Sequence, residues 1–216
     1  MDDNIDLIKF VTALLALLNP LGVAPIFAAM TKHRTPGERS RMALVAAGVV
    51  AGVLCLMALL GQTMLNFFSI TIDDLRVAGG LVVLLVALDM LRARPSEIHS
   101  RPDLLDPATD RENPAVVPLG IPLLAGPGTI ATVIIFADDA RGVSGMLVIG
   151  CGILIAAAAV WAVLRLATRG GRLLGPTGMN VLTRVMGLLL SVIAINMILT
   201  GLRAALPGLA GALPPA

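Results

Sequence analysis

Two short runs in this chain combine residue types that could hold a small anionic solute. Asn19-Pro20-Leu21-Gly22, with Pro25 close behind, interrupts one apolar stretch. Gly126-Pro127-Gly128-Thr129 interrupts another, with Pro118 and Pro122 ahead of it. Proline removes a backbone donor and clashes with the preceding turn, and glycine adds backbone freedom, so each run should break a helix. The residue order gives each break a direction. Asparagine is a strong N-cap and proline is favoured at the first helical position, so Asn19-Pro20 reads as the start of a new half-helix. Gly126-Pro127 reads the same way with a weaker cap. Pro25 leaves open whether the first half-helix starts at Pro20 or a turn later. The free N–H groups and positive dipole ends at two such starts favour an anion such as a carboxylate. The alternative for each run is a simple proline kink. Against it stands the pairing of Pro with Gly in both runs at matching positions of a repeat, which points to a transporter's binding site.

The other polar residues within apolar stretches are Asn66, Asp89, Ser191, Asn196 and Thr200. Asp89 is the one carboxylate deep in a stretch, and such carboxylates draw functional suspicion. It lies three residues before Arg92, a helical pair spacing, and a structural pair or a snorkelling residue is the preferred reading over a coupling-ion site. Asn196 sits deeper. It joins Asn19, Pro20, Leu21, Gly22, Gly126, Pro127, Gly128 and Thr129 as the candidate substrate-binding set. Cys55 and Cys151 read as small packing residues, since their spacing fits neither a metal site nor a redox pair. His33 and His99 read as solvated loop residues. An intramembrane protease would need paired aspartates, a Ser–His pair or a metal motif within the apolar stretches, and none occurs. No basic patch interleaved with aromatics marks a nucleic-acid partner. The expected partners are a small solute and the lipid bilayer. No cofactor is implied, and sodium or a proton is the candidate coupling ion.

The elements that must position these residues are membrane helices. The 216 residues are 57% hydrophobic and 14% charged, where a soluble domain is usually near a quarter charged. A crossing helix needs roughly 17–25 mostly apolar residues. The chain offers six such spans, near 5–31, 42–63, 74–92, 115–137, 143–165 and 181–204. The acidic start, Met1 to Asp6, lacks the positive charge of a secretory signal, so the first span reads as retained. Lys and Arg are unevenly placed. Twelve flank the three odd-to-even connectors and four (Lys9, Arg76, Arg141 and Arg203) lie opposite. That bias puts those connectors in the cytoplasm and both termini outside. Aromatic anchors are few, with one Trp, no Tyr and five Phe. Small residues are plentiful instead. Gly48 and Gly52 on the second span and Ala156 to Ala159 on the fifth are expected to mediate close helix packing. Arg76 and Arg184 read as interfacial anchors.

The halves of the chain superpose at an offset near 107 residues. Pro20 then meets Pro127, Ala87-Leu88-Asp89-Met90 meets Ala194-Ile195-Asn196-Met197, and Arg76 meets Arg184 after a one-residue shift. Because each half holds three spans, the second must enter the membrane from the other side. The expected fold is an all-α integral membrane protein of six transmembrane helices in two inverted three-helix repeats. Spans one and four are broken near the midplane. The first repeat covers 1–92, a cytoplasmic linker 93–114 and the second repeat 115–216.

At its motifs the chain resembles the MarC family of bacterial inner-membrane proteins, also described as neutral amino acid transporters. The resemblance covers residues 5 to 203. It is carried by Asn19-Pro20-Leu21-Gly22, by Ile70 to Gly80 with its Leu75-Arg76-Val77-Ala78-Gly79-Gly80 core, by Ala125-Gly126-Pro127-Gly128-Thr129-Ile130 and by Arg184-Val185-Met186-Gly187. The resemblance implies a six-helix transporter of the bacterial plasma membrane with small neutral amino acids, such as glycine or alanine, as substrates. Export of amino acids or other small metabolites, or a channel, are the competing readings. A drug-efflux association belongs to the family name, and no residue here supports it.

Overall fold

A computed structural model describes residues 6–92, 125–140, 142–167 and 175–206. The linker 93–114, the first part of the fourth expected span with Pro118 and Pro122, and His99 lie outside them. The described residues form seven helices and no strands. These are α1 (Leu7–Leu18), α2 (Pro20–Met30), α3 (Pro36–Phe67), α4 (Ile72–Leu91), α5 (Pro127–Asp138), α6 (Gly142–Ala167) and α7 (Gly175–Ala205).

Local chemistry sets most helix starts. Asp6 caps α1 by accepting hydrogen bonds from the Ile8 and Lys9 amides. Thr35 and Glu38 form a capping box at the start of α3, with Pro36 in its first turn, and Thr71 and Asp74 form another on α4. The amide and hydroxyl of Thr35 donate to Glu38 and hold its carboxyl below the usual range, since they favour the charged form. The box starts α3 at Pro36, ahead of the apolar run that begins near residue 42.

α3, α6 and the Thr183–Ala205 part of α7 are long and apolar enough to cross a membrane. α1 and α2 together make a fourth such element, bent by 40° at Asn19. α4 has 20 residues and so is about 30 Å long, but carries Asp73, Asp74 and Arg76 in its opening turns. Large apolar side chains point outward along these helices, among them Leu44, Leu59, Leu147, Leu154, Leu188 and Val192. A water-soluble chain rarely shows so large a continuous apolar exterior, whereas lipid requires one.

One core joins α1, α2, α3, α5 and α6 through Phe10, Leu14, Phe27, Val50, Leu54, Val133, Ile149, Ile153 and Val160. A second joins α4 and α7 through Val83, Ala87, Met90, Leu190 and Ala194, with Ala16 and Leu17 of α1 against it. α4 and α7 run antiparallel, and glycines set their approach. A Cβ on Gly80 would meet the Ala194 carbonyl and Ile198, and one on Gly187 would meet the Ala87 carbonyl and the Leu91 amide. Gly201 faces the Asp73 carbonyl and Arg76.

The expected packing glycines are not the ones used. Gly48 and Gly52 are exposed, and a Cβ on either would meet nothing within 4 Å. α3 turns Ala43, Ala46, Ala47, Val50, Leu54, Ala58 and Gly61 inward, and Gly48 and Gly52 lie off that face. Its close approach comes at Gly61, against Ile134 of α5, while Gly152 of α6 takes the ring of Phe10. Ala156 and Ala157 are buried as expected, but Ala158 is exposed. Cys151 is exposed on α6 rather than buried, and Cys55 is half-buried, so neither sits in the core.

Candidate functional site

The first break forms at Asn19. This residue adopts a left-handed conformation (φ 41°, ψ 56°), which asparagine tolerates better than most side chains. It ends α1 and caps α2, with its Oδ1 accepting from the Gly22 amide at 3.3 Å and Pro20 as the first helical residue. The half-helix therefore starts at Pro20, and Pro25 lies inside it. Gly22 is required by the cap itself, because a Cβ there would run into the Asn19 carboxamide. The Asn19 Nδ2 donates to the Met90 sulfur of α4 at 3.8 Å, a weak partner for an amide.

The second break starts α5 at Pro127. Its N-cap, Gly126, supplies no side-chain hydrogen bond. A Cβ on Gly126 would meet nothing within 4 Å, and the residue is half-buried. Gly128 is buried, and a Cβ there would collide with Val83 of α4 and come within 3.8 Å of Leu17 Cδ2. Thr129 is 3% exposed. Helix starts leave their first N–H groups without intrahelical partners, so α2 and α5 each present such donors.

Two contacts bring the breaks together. Leu17, two residues before Asn19, reaches Gly128, and α4 runs past both breaks, with Val83 at Gly128 and Met90 at Asn19. Val83 and Met90 are separated by two helical turns, about 10 Å. The small residue Ala87 lies between them and is fully buried. α5 runs antiparallel to α4, as the Arg76–Asp139 approach near its far end shows. Its N-terminus thus points along α4 toward the break at Asn19.

Of the other expected site residues, Asn196 lies away from the breaks and the rest lie in them. Asn196 is exposed on α7, its Oδ1 accepting from Thr200 at 3.3 Å, and does not face the breaks. Pro20 is buried, Leu21 is 37% exposed and Pro127 is exposed. Asp89 is half-buried one residue before Met90. Arg76 does more than anchor. Its guanidinium bonds Asp73 at 2.9 Å and approaches Asp139, beyond the end of α5, at 3.7 Å, and so ties α4 to α5. The sequence reading passed over Thr132, buried on α5 one turn after Gly128. The Thr-x-x-Thr spacing after the break, which sets both hydroxyls within one turn, was the available signal. Among the described residues no cluster of His, Cys, Asp or Glu could hold a metal ion.

The helices and their apolar exterior define an all-helical integral membrane protein. Residues 5–206 match the family described as MarC family integral membrane protein, and the chain belongs to that family. It is 37% identical over 201 residues to the UPF0056 membrane protein YhcE of Escherichia coli (strain K12), covering 93% of this chain and 94% of that one. It is 35% identical over 196 residues to the UPF0056 membrane protein YvbG of Bacillus subtilis (strain 168), covering 90% and 93%. A UPF0056 membrane protein of Methanocaldococcus jannaschii is 33% identical over 196 residues, with 90% and 95% covered. No solved structure matches the chain.

Proposed function

We propose that this protein is a secondary active transporter of small neutral amino acids, such as glycine and alanine. It sits in the bacterial plasma membrane with both termini outside, and it works by alternating access around the two breaks. The observation that carries the reading is the approach of the two half-helix N-termini beside α4, with Leu17 against Gly128 and Asn19 against Met90. Positive dipole ends of two helix starts gathered inside an apolar bundle favour a solute with an anionic group. Backbone broken at that depth is tolerated only where it is buried or lines a cavity.

Support for six spans as inverted repeats comes from reciprocity. At the offset near 107, Gly80 corresponds to Gly187, Ala87 to Ala194 and Leu91 to Ile198. Gly80 meets Ala194 and Ile198, and Gly187 meets Ala87 and Leu91, so each contact has its mirror. Exchanging the halves also turns the α3–α5 contact into the α2–α6 contact, and both occur. The N-caps Asn19 and Gly126 obey the same offset. Such a pseudo-two-fold arrangement lets one half rock against the other around a fixed site.

The test is purified protein in proteoliposomes, given labelled glycine or alanine under separate sodium and proton gradients. Accumulation above the external concentration, driven by one gradient, is the expected result. Equilibration alone would identify a channel, and no uptake of either solute would overturn the reading.

A further inference from the structure

The exchange of halves that turns α3–α5 into α2–α6 also turns the α4–α5 seam into a seam between α7 and α2. The first of these seams is closed. Going along α4 toward its start, Val83 lies against Gly128, a Cβ on Gly79 would meet Ala131, and the Arg76 guanidinium stands 3.7 Å from the Asp139 carboxylate. The three α4 positions are three or four residues apart and so share one face of the helix. No comparable packing joins α2 and α7 among the described residues. Burial divides the same way. α5 buries seven of its 12 residues, and its counterpart α2 buries three of its 11.

Charge divides the seams as well. At the offset near 107, Asp139 corresponds to Lys32, and Arg76 corresponds to Arg184 after the one-residue shift. The α4–α5 seam therefore ends on opposite charges, and its mirror ends on two cations, which repel. Arg76 is also held in place from its own helix. Asp73 accepts from its guanidinium at 2.9 Å, and the absence of a side chain at Gly201 lets α7 approach its Cβ. Packing and charge are independent, and both distinguish the same pair of seams. One seam closed while its mirror is parted is the arrangement that alternating access requires of two inverted repeats.

We propose that the α4–α5 seam is the outer gate of the transporter, latched by Arg76 and Asp139, and that this conformation is the one open to the cytoplasm. The inference rests on the transporter reading above and on its orientation with both termini outside. Opening to the outside parts α4 from α5 and brings α2 against α7. Since the outer seam has a latch and the inner seam has like charges, the resting protein favours the inward-open state.

The test uses Val83→Cys, a probe buried in the closed seam, in a background lacking Cys55 and Cys151. Right-side-out membrane vesicles receive an impermeant thiol reagent from outside, and the labelling rate is compared for Asp139, Asp139→Asn and Asp139→Glu. Ala156→Cys, fully buried in the other core, reports any general loosening. Uptake of labelled glycine and alanine is measured without the probe cysteine. Asp139→Asn should speed labelling of Val83→Cys roughly two- to fivefold, the scale of an exposed ion pair. Asp139→Glu should keep the slow rate, and Ala156→Cys should stay slow in every case. An unchanged rate in Asp139→Asn, or a rise shared by Ala156→Cys, overturns the latch, and the transporter reading stands if uptake persists. If wild type takes up neither solute, both fall.

Discussion

The first break is closed by its own side chain, and the second is not. At Asn19 the carboxamide folds over Gly22 and takes up a donor of the new helix. At Gly126, the matching position of the second half, no side chain does this, and the glycine has open space around its α-carbon. Beyond it, Thr132 keeps a hydroxyl unused. The two breaks thus differ: the first is capped by its own side chain, and beyond the second a buried hydroxyl is left unused. In the proposed transporter the α2 start is the more structural of the two, since its cap is closed by Asn19.

That contrast can be broken by substitution. The largest effect is expected from Gly128→Leu. Gly128 already lies against Val83, so a side chain there overpacks the α4–α5 contact, in general about 1–3 kcal/mol or more. The variant should melt earlier as well as lose binding. Gly128→Ala with Val83→Ala should recover much of the melting temperature, and a failure to recover would mean that Gly128 is not held by Val83.

Asn19→Ala comes next. It removes a cap, about 0.5–2 kcal/mol in general, and puts alanine where φ is 41°. Asn19→Gly should be milder by thermal melting, because glycine accepts that backbone and costs only a few tenths of a kcal/mol at a cap. Equal losses would show that the carboxamide matters beyond the backbone turn. Gly126→Asn should then make the second break resemble the first. Its melting temperature should change little, since asparagine over glycine at a cap is worth a few tenths of a kcal/mol. Alanine binding by calorimetry should fall because the new side chain fills the open space at this helix start. Unchanged binding would erase the distinction between the breaks. Gly48→Ala should be the smallest effect, within about 0.5 kcal/mol, as for surface positions generally.

The breaks were legible in the sequence because their causes are local. Asparagine, proline and glycine impose a cap, a first turn and a clearance without help from the rest of the chain, so the break could be read there, while Pro25 left its helix start open between Pro20 and a turn later. The packing glycines were not legible. Gly48 and Gly61 lie on the same helix and look alike in sequence, and only the placement of α5 and α6 decides that Gly61 faces inward. Asn196 was expected to line the cavity because it sits deep in its span, but its helix turns it out toward Thr200. Whether Thr132 bonds back to its own helix, as Thr31 does, depends on a side-chain rotamer that residue spacing does not encode.

The central claim is that substrate binds between the two half-helix starts. It is tested most directly by nuclear magnetic resonance of protein labelled with ¹⁵N at glycine, titrated with unlabelled alanine. Gly22, Gly126 and Gly128 report on the breaks, while Gly48 and Gly52 report on the outward face of α3. The account predicts saturable shifts at Gly126 and Gly128, a smaller one at Gly22, and still resonances at Gly48 and Gly52. Alanine binding that leaves Gly126 and Gly128 unmoved would contradict it.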